Sequence, residues 1–219
     1  KIAVAISGGK DSLCLLAALS EMRRFFPYKY ELEAITVSLG FNETDYSGVK
    51  SFCDKLGVNY TVVDTQIGRI IFDERKEENP CSLCAKMRKG ALNNAAEELG
   101  CNKIALGHNK NDVIETFLMS LIFEGRISCF SPVSFLEKKK LYSIRPLIYV
   151  SEYETKSYAD SLGSIIVKNP CPADGSTKRQ EIKELLKTLN KTYPNLNQRI
   201  FGAVTRSLDD WKRGGVNGR

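Results

Sequence analysis

The chain lacks most of what would anchor it in a membrane or staple it covalently. None of its 219 residues belongs to an apolar run approaching the roughly 20 needed to span a bilayer, which excludes a helical integral membrane protein. The start offers no secretory leader: Lys1 to Ile6 already reads as a strand, and the missing initiating Met points to a trimmed chain or a fragment. Seven cysteines are an odd number and roughly three per cent of the chain, far below the density of a disulfide scaffold. A reducing cytoplasm is therefore expected, where clustered cysteines become candidates for metal binding or catalysis. Internal repeats, low-complexity tracts and an obvious interdomain linker are also missing.

What is present is the composition of a folded domain, 42% hydrophobic and 26% charged, long enough to bury a core without staples. The net charge of +6 is unevenly placed. Residues 171–219 hold ten Lys and Arg against five Asp and Glu, whereas residues 1–170 hold 22 against 21. A basic end suits a polyanion such as RNA, and on charge alone a solvated helix face with a basic tail suits it equally.

Short β-like runs alternate with helical stretches. The run Ile2-Ala3-Val4-Ala5-Ile6 is continuously apolar, as in a strand buried on both faces. Helix is expected from Ser12 to Met22, Val49 to Leu56, Cys84 to Leu99 (with Gly100 as C-cap) and Val113 to Phe123. Strands are expected at Leu32 to Ser38, Tyr60 to Asp64, Ile104 to Leu106 and Leu141 to Ile144. Such alternation implies an α/β fold with a Rossmann-like, doubly wound parallel sheet. We expect a domain at 1–170 and a basic, helical C-terminal segment at 171–219 packed on it, broken at Pro194.

Ser7-Gly8-Gly9-Lys10-Asp11-Ser12 joins the first strand to the first helix, the junction where doubly wound sheets bind ligands. Paired glycines let backbone amides approach phosphate oxygens, and the helix N-terminus adds partial positive charge. Walker A spacing is absent. Cys81 and Cys84 stand three residues apart after Asn79-Pro80, at a helix start that favours thiolates. A lone C-x-x-C suits a redox dithiol, half a zinc site or part of an iron–sulfur site. Cys171, in a similar Asn169-Pro170-Cys171-Pro172 setting, tilts the reading towards a cluster on three cysteines. Zinc held by those cysteines and His108 is the metal alternative. Cys14, Cys53, Cys101 and Cys129 read as packing residues. Gly107-His108-Asn109-Lys110-Asn111-Asp112 follows a strand and precedes a helix, again at the ligand edge, where Asp112 also suits an N-cap with Glu115 three residues on.

SGGKDS at 7–12 resembles the PP-loop of the adenine-nucleotide α-hydrolase superfamily, which implies ATP cleaved between its α and β phosphates. With CSLCAKMRKG at 81–90, KIALGHNKNDVIETFLM at 103–119, SIRPLIYV at 143–150 and NPCPADGSTKRQEIKELL at 169–186, the chain resembles the tRNA 2-thiocytidine synthetase (TtcA-like) family of PP-loop ATP-dependent tRNA thiolases. The resemblance implies a 4Fe-4S cluster on Cys81, Cys84 and Cys171, and ATP, with Mg²⁺, cradled by Ser7, Gly8, Gly9, Asp11 and Ser12 with Lys10 assisting. It further implies Asp112 as catalytic aspartate, Arg88 as the basic residue one turn past the second cysteine, and Arg145 reaching towards the active site. Ser38, Gly107 and His108 complete the expected nucleotide-binding set. The implied reaction adenylates a cytosine C2 oxygen of tRNA, after which sulfide held by the cluster attacks C2 and AMP departs. A sulfur donor (a cysteine desulfurase or sulfide) and a homodimer are further expectations. Two departures stand out: Asn111 replaces the first of the family's two acids after Gly-His, and the family's usual N-terminal extension is missing. Rival readings are a tRNA 2-thiouridine synthetase, a small-molecule sulfurtransferase or desulfidase of the same fold, and a non-catalytic zinc or RNA-binding module.

Overall fold

A computed structural model of the chain describes residues 1–41, 44–75, 80–163, 167, 171 and 177–212. Asn79, Asn169, Pro170 and Pro172, which flank the three candidate cysteine ligands, lie outside the described residues. The elements begin with β1 (Ile2–Ala5), α1 (Lys10–Met22), β2 (Leu32–Ser38), α2 (Ser47–Lys55) and β3 (Asn59–Asp64). A short α3 (Ile67–Arg69) runs into a π-helical turn at Ile70–Glu74, and α4 (Pro80–Glu98) follows. Then come β4 (Lys103–Ala105), α5 (Lys110–Glu124), β5 (Val133–Leu136), β6 (Leu141–Ile144) and α6 (Glu152–Ser161). The described chain closes with α7 (Lys178–Thr192), α8 (Leu196–Ser207) and α9 (Asp209–Lys212).

The described strands form one sheet in the order β3-β2-β1-β4-β6-β5. All neighbouring pairs are parallel except β5 with β6, so the sheet is doubly wound but carries one antiparallel edge strand that the sequence reading missed. Four residues, Val133-Ser134-Phe135-Leu136, are too few and too exposed to signal a strand by apolar alternation. Lys140, at φ 51, turns the chain back into β6.

Side chains of the parallel strands alternate between two apolar layers, as the pleat requires. Val4, Ile6, Ala34 and Ala105 pack on one side with Leu13, Leu16, Val49 and Cys53 from α1 and α2. Ala3, Ile35 and Ile104 pack on the other with Leu92, Ala95 and Ala96 from α4. Helix α4 ends in a Schellman turn, with Gly100 at φ +70 and Cys101 N–H donating to Ala96 O at 2.8 Å. Cys14, Cys53 and Cys101 are buried, and Cys129 packs in a third cluster, so all four non-motif cysteines serve as small apolar residues.

The C-terminal helices cover α5. Ile182 and Leu186 of α7 pack on Ile114, while Val204 of α8 and Trp211 of α9 pack on Val113 and Ile148. Pro194 separates α7 from α8 as the sequence implies, with Asn195 at φ 64 between them. Among the described residues, no helix is long and apolar enough to cross a membrane. Ile182 is 2% exposed. Ile182→Ala is therefore expected to destabilise the protein by about 2–4 kcal/mol, read from the urea midpoint; a loss under about 0.5 kcal/mol would show that α7 does not share the core.

Candidate functional site

The strand order reverses between β1 and β4, and the loops leaving their carboxyl ends meet at that switch point. In the β1–α1 loop, Ser12 Oγ accepts from Ser7 N–H at 3.2 Å and donates to Gly9 O at 2.8 Å, while Gly9 N–H donates to Ser7 Oγ at 3.3 Å. The serines thus fold the loop upon itself. No side chain caps α1, and the amides of Gly8, Lys10 and Asp11 have no acceptor among the described residues. A helix N-terminus with spare donors is an anion cradle. Gly8 is required here: its φ is +79, and an added Cβ would lie 2.7 Å from Val167 Cβ, whose N–H donates to Gly8 O at 3.0 Å.

Lys10 and Asp11 tie this loop to the neighbouring helices. Lys10 Nζ donates to Asp11 Oδ2 at 2.9 Å and to Glu152 Oε1 at 3.0 Å, at the start of α6. Burial would lower the Lys10 pKa, but these two carboxylates outweigh it and hold the ammonium above its ordinary value. Asp11 Oδ1 accepts from Thr155 Oγ1 at 2.6 Å and from Asn109 Nδ2 at 3.3 Å. Gly107 stands where a Cβ would come within 3.2 Å of the Asp11 carbonyl and the Ser12 nitrogen, so its absence of a side chain allows β4 to pass against the first turn of α1.

Asn109, rather than Asp112, is the N-cap of α5. Asn109 Oδ1 accepts from the amides of Asn111 and Asp112, and Asp112 Oδ2 accepts from Asn109 N–H at 2.9 Å, which closes the capping box three positions earlier than the sequence suggested. Glu115 is instead drawn into an ion-pair network from α7, with Arg179 at 3.0 Å and Lys183 at 3.7 Å. Arg179 also reaches Asp112 at 3.4 Å. Burial raises the pKa of both acids, only partly offset by hydrogen bonds and by Arg179 and Lys183. Asn111, where the family usually has an acid, accepts from Glu152 N–H at 3.1 Å and so caps α6 across the site.

A cleft of ≈ 370 Å³ opens between the carboxyl ends of the parallel strands and one face of α4, lined by Ser7, Val37, Arg88, Leu106, His108 and Arg145 among others. Ser38 ends β2 beside it, and its carbonyl accepts from Thr65 Oγ1 at 2.6 Å. His108 stacks on Phe130 with ring centroids 4.8 Å apart, and the Arg145 guanidinium lies over the same ring at 4.9 Å. Arg145 is thus no surface residue: it donates to Ser131 O at 2.7 Å, and burial brings its pKa down to about 10. Burial, helped by the Arg145 and Arg179 charges, lowers the His108 pKa to about 4, so the ring is neutral.

Ala85 and Arg88 of α4 line the cleft, and Cys84 precedes them on the same helix. Cys81 is exposed in the first turn of α4, and Cys84 and Cys171 are half-buried; none is disulfide-bonded. Burial raises the Cys84 thiol pKa, and negative charge on Cys171 and Cys81 raises it further, whereas Arg88 lowers it through its charge and a hydrogen bond. Cys84 therefore lies within electrostatic reach of both other thiols. Among the described residues, no three His, Cys, Asp or Glu side chains are already closed around one point as metal ligands would be. The donor set nonetheless fits a cluster: three soft sulfurs on a rim, one of them paired with a guanidinium that favours its ligating thiolate form.

Glu152, Thr155, Lys183 and Arg179 were not read as site residues. Only the Ser151-x-x-Glu154 capping box announced α6, whose polar sequence shows little apolar periodicity, and the spacing of Arg179 and Lys183 signalled one face of α7.

Residues 1–189 match the PP-loop domain family. A tRNA-cytidine(32) 2-sulfurtransferase of Pelobacter propionicus is 36% identical over 208 residues, covering 94% of this chain and 77% of that protein. The namesake from Dichelobacter nodosus is 35% identical, covering 95% and 79%. The chain belongs to the PP-loop tRNA 2-thiocytidine synthetase family. Among solved structures, the U34-tRNA thiolase NcsA from Methanococcus maripaludis, with its [4Fe-4S] cluster, superposes with a TM-score of 0.76 at 29% identity, covering 94% of this chain and 70% of that one. The match to the PP-loop family runs through the boundary expected at residue 170 and into α7, where Arg179 and Lys183 join the site.

In this PP-loop fold the neutral His108 has a testable consequence. A histidine whose folded pKa lies near 4 against an ordinary 6.5 contributes stability above pH 6.5 that is lost as pH falls through that window. Urea unfolding at pH 7 and pH 5 should show wild type losing about 1–2 kcal/mol more than His108→Gln. Equal losses in the two proteins would show that His108 is not buried in the neutral form.

Proposed function

We propose that this chain catalyses ATP-dependent thiolation of cytosine in tRNA, through adenylation of the base and attack by sulfur. The observation that carries the reading is the cleft itself, whose lining joins Ser7 of the phosphate loop to Arg88, the hydrogen-bond partner of Cys84. ATP binds with its phosphates on the spare amides of the loop and on Lys10, and Mg²⁺ enters as the counter-ion of the triphosphate. Those same donors stabilise pyrophosphate as it leaves when the C2 oxygen attacks the α phosphate. Asp112 is held by Arg179 and by the Asn109 amide at the edge of this cradle, with its carboxylate oriented rather than free to swing.

Cys81, Cys84 and Cys171 would hold the 4Fe-4S cluster, as the NcsA match and the electrostatic coupling of the thiols support. When bound, the cluster supplies a Lewis-acidic iron that retains sulfur for transfer. Arg88 steadies the sulfur of Cys84, and the apolar walls of the cleft limit water at C2. Sulfur comes from a cysteine desulfurase or from free sulfide, in a reducing cytoplasm where the cysteines stay unoxidised. The basic helices α7 and α8 offer the tRNA backbone its contacts.

The test is nucleoside mass spectrometry on tRNA incubated with anaerobically reconstituted protein, ATP and sulfide. Wild type should yield 2-thiocytidine; Cys171→Ala should abolish it and bleach absorbance near ~400 nm, and Arg88→Ala should slow it about 10–100-fold. Undiminished activity in Cys171→Ala would sink the cluster role, and 2-thiouridine as product would move the chain to the activity that names NcsA.

A further inference from the structure

We propose that Glu152 is the counter-ion Lys10 exchanges for nucleotide phosphates, with Lys183 holding Glu152 ready to take Lys10 back when pyrophosphate leaves; this rests on reading Ser7–Ser12 as an ATP site. Lys10 has two anionic partners, and they differ in freedom. Asp11 is immobilised, its second oxygen accepting from Thr155 at 2.6 Å and Asn109 at 3.3 Å. Glu152 has no such anchor. Its Oε1 receives both Lys10 at 3.0 Å and Lys183 at 3.4 Å, and neither carboxylate oxygen has another side-chain donor among the described residues.

Only the carboxylate of Glu152 is loosely held. Its backbone N–H is fixed on Asn111 Oδ1 at 3.1 Å, and the adjoining Ser151–Glu154 capping box sets the start of α6. Lys183 is fixed from the other side, 3.7 Å from Glu115 Oε1, an acid whose side chain is 3% exposed and cannot leave. If Lys10 turns to a phosphate oxygen, Glu152 keeps the ammonium of Lys183 and is not left unpaired. The exchange trades one ion pair for another rather than breaking a pair, which keeps its cost small. Burial pushes the Glu152 carboxyl up, but hydrogen bonds and charge from Lys10 and Lys183 outweigh it and keep the group ionised.

A fixed negative charge beside the cradle competes with every bound anion, including the pyrophosphate product. Glu152 is thus a positioning residue that limits how tightly product is held. Isothermal titration with ATP and with pyrophosphate, on the full chain, tests this. Glu152→Gln should lower both dissociation constants about three- to tenfold, and lower KM for ATP together with kcat as pyrophosphate release slows. E152D keeps the charge and should return both constants towards wild type. Lys183→Met should act oppositely, weakening ATP about two- to fivefold, and its effect should shrink in the E152Q background because it acts through Glu152. Wild type that binds neither ATP nor pyrophosphate would overturn the nucleotide reading and the exchange with it. Wild type that binds them, beside an E152Q protein of unchanged urea midpoint that binds them equally or more weakly, would overturn the exchange alone.

Discussion

Three helix N-termini converge on one carboxylate. Asp11, in the first turn of α1, accepts from Thr155 in α6 and from Asn109 at the cap of α5, and it pairs with Lys10. The aligned peptide dipoles of three helices bring partial positive charge to one region, which without an internal anion would set the helices apart. Asp11 relieves that tension from within and fixes the mutual positions of α1, α5 and α6. The rest of the site inherits its geometry from this contact: the phosphate loop because Asp11 follows Lys10, the capping box of α5 because Asn109 is shared, and α6 because Thr155 is buried against it.

A second layer of charge surrounds the first. Acids from α5 and α6, namely Asp112, Glu115 and Glu152, alternate with Arg179 and Lys183 of α7, and each group is partnered by the next. Part of the C-terminal positive charge is therefore spent inside the protein and is not available to a polyanion outside. Residues 171–219 carry an excess of five charges, and two of their basic residues, Arg179 and Lys183, already face acids of α5 and α6. The basic segment is therefore an electrostatic component of the site.

The features legible in the sequence were those written in local chemistry. The Ser7–Ser12 loop, the C-x-x-C at the start of α4, the Gly100 cap and the continuous apolar run Ile2–Ile6 each depend on neighbours within a few residues. What stayed hidden depends on pairs far apart: Lys10 with Glu152 is separated by 142 positions and Asn109 with Asp11 by 98. Nothing in Ser151-Glu152-Tyr153-Glu154 distinguishes an acid of the site from an ordinary N-terminal helix acid, since both satisfy the helix dipole. The resemblance brought Arg145 to the site, but its partners Phe130 and Ser131 come from a loop whose course no periodicity reveals. The edge strand β5 was missed for a related reason, since half-exposed pairing leaves little apolar signature.

The hydrogen bond from Val167 to the carbonyl of Gly8 gives Cys171 a short leash. Four residues before the cysteine the chain is moored to the phosphate loop, and six residues after it the chain enters α7 at Thr177, already fastened to α5 through Arg179. At no more than about 3.5 Å per residue, neither arm allows the sulfur to wander far. A thiol confined in this way is presented to its two companions on α4 as an intramolecular reagent, at the high local concentration that tethering creates. Any site shared by the three sulfurs would then form by loop closure within one folded chain, from a mooring on the Ser7–Ser12 loop.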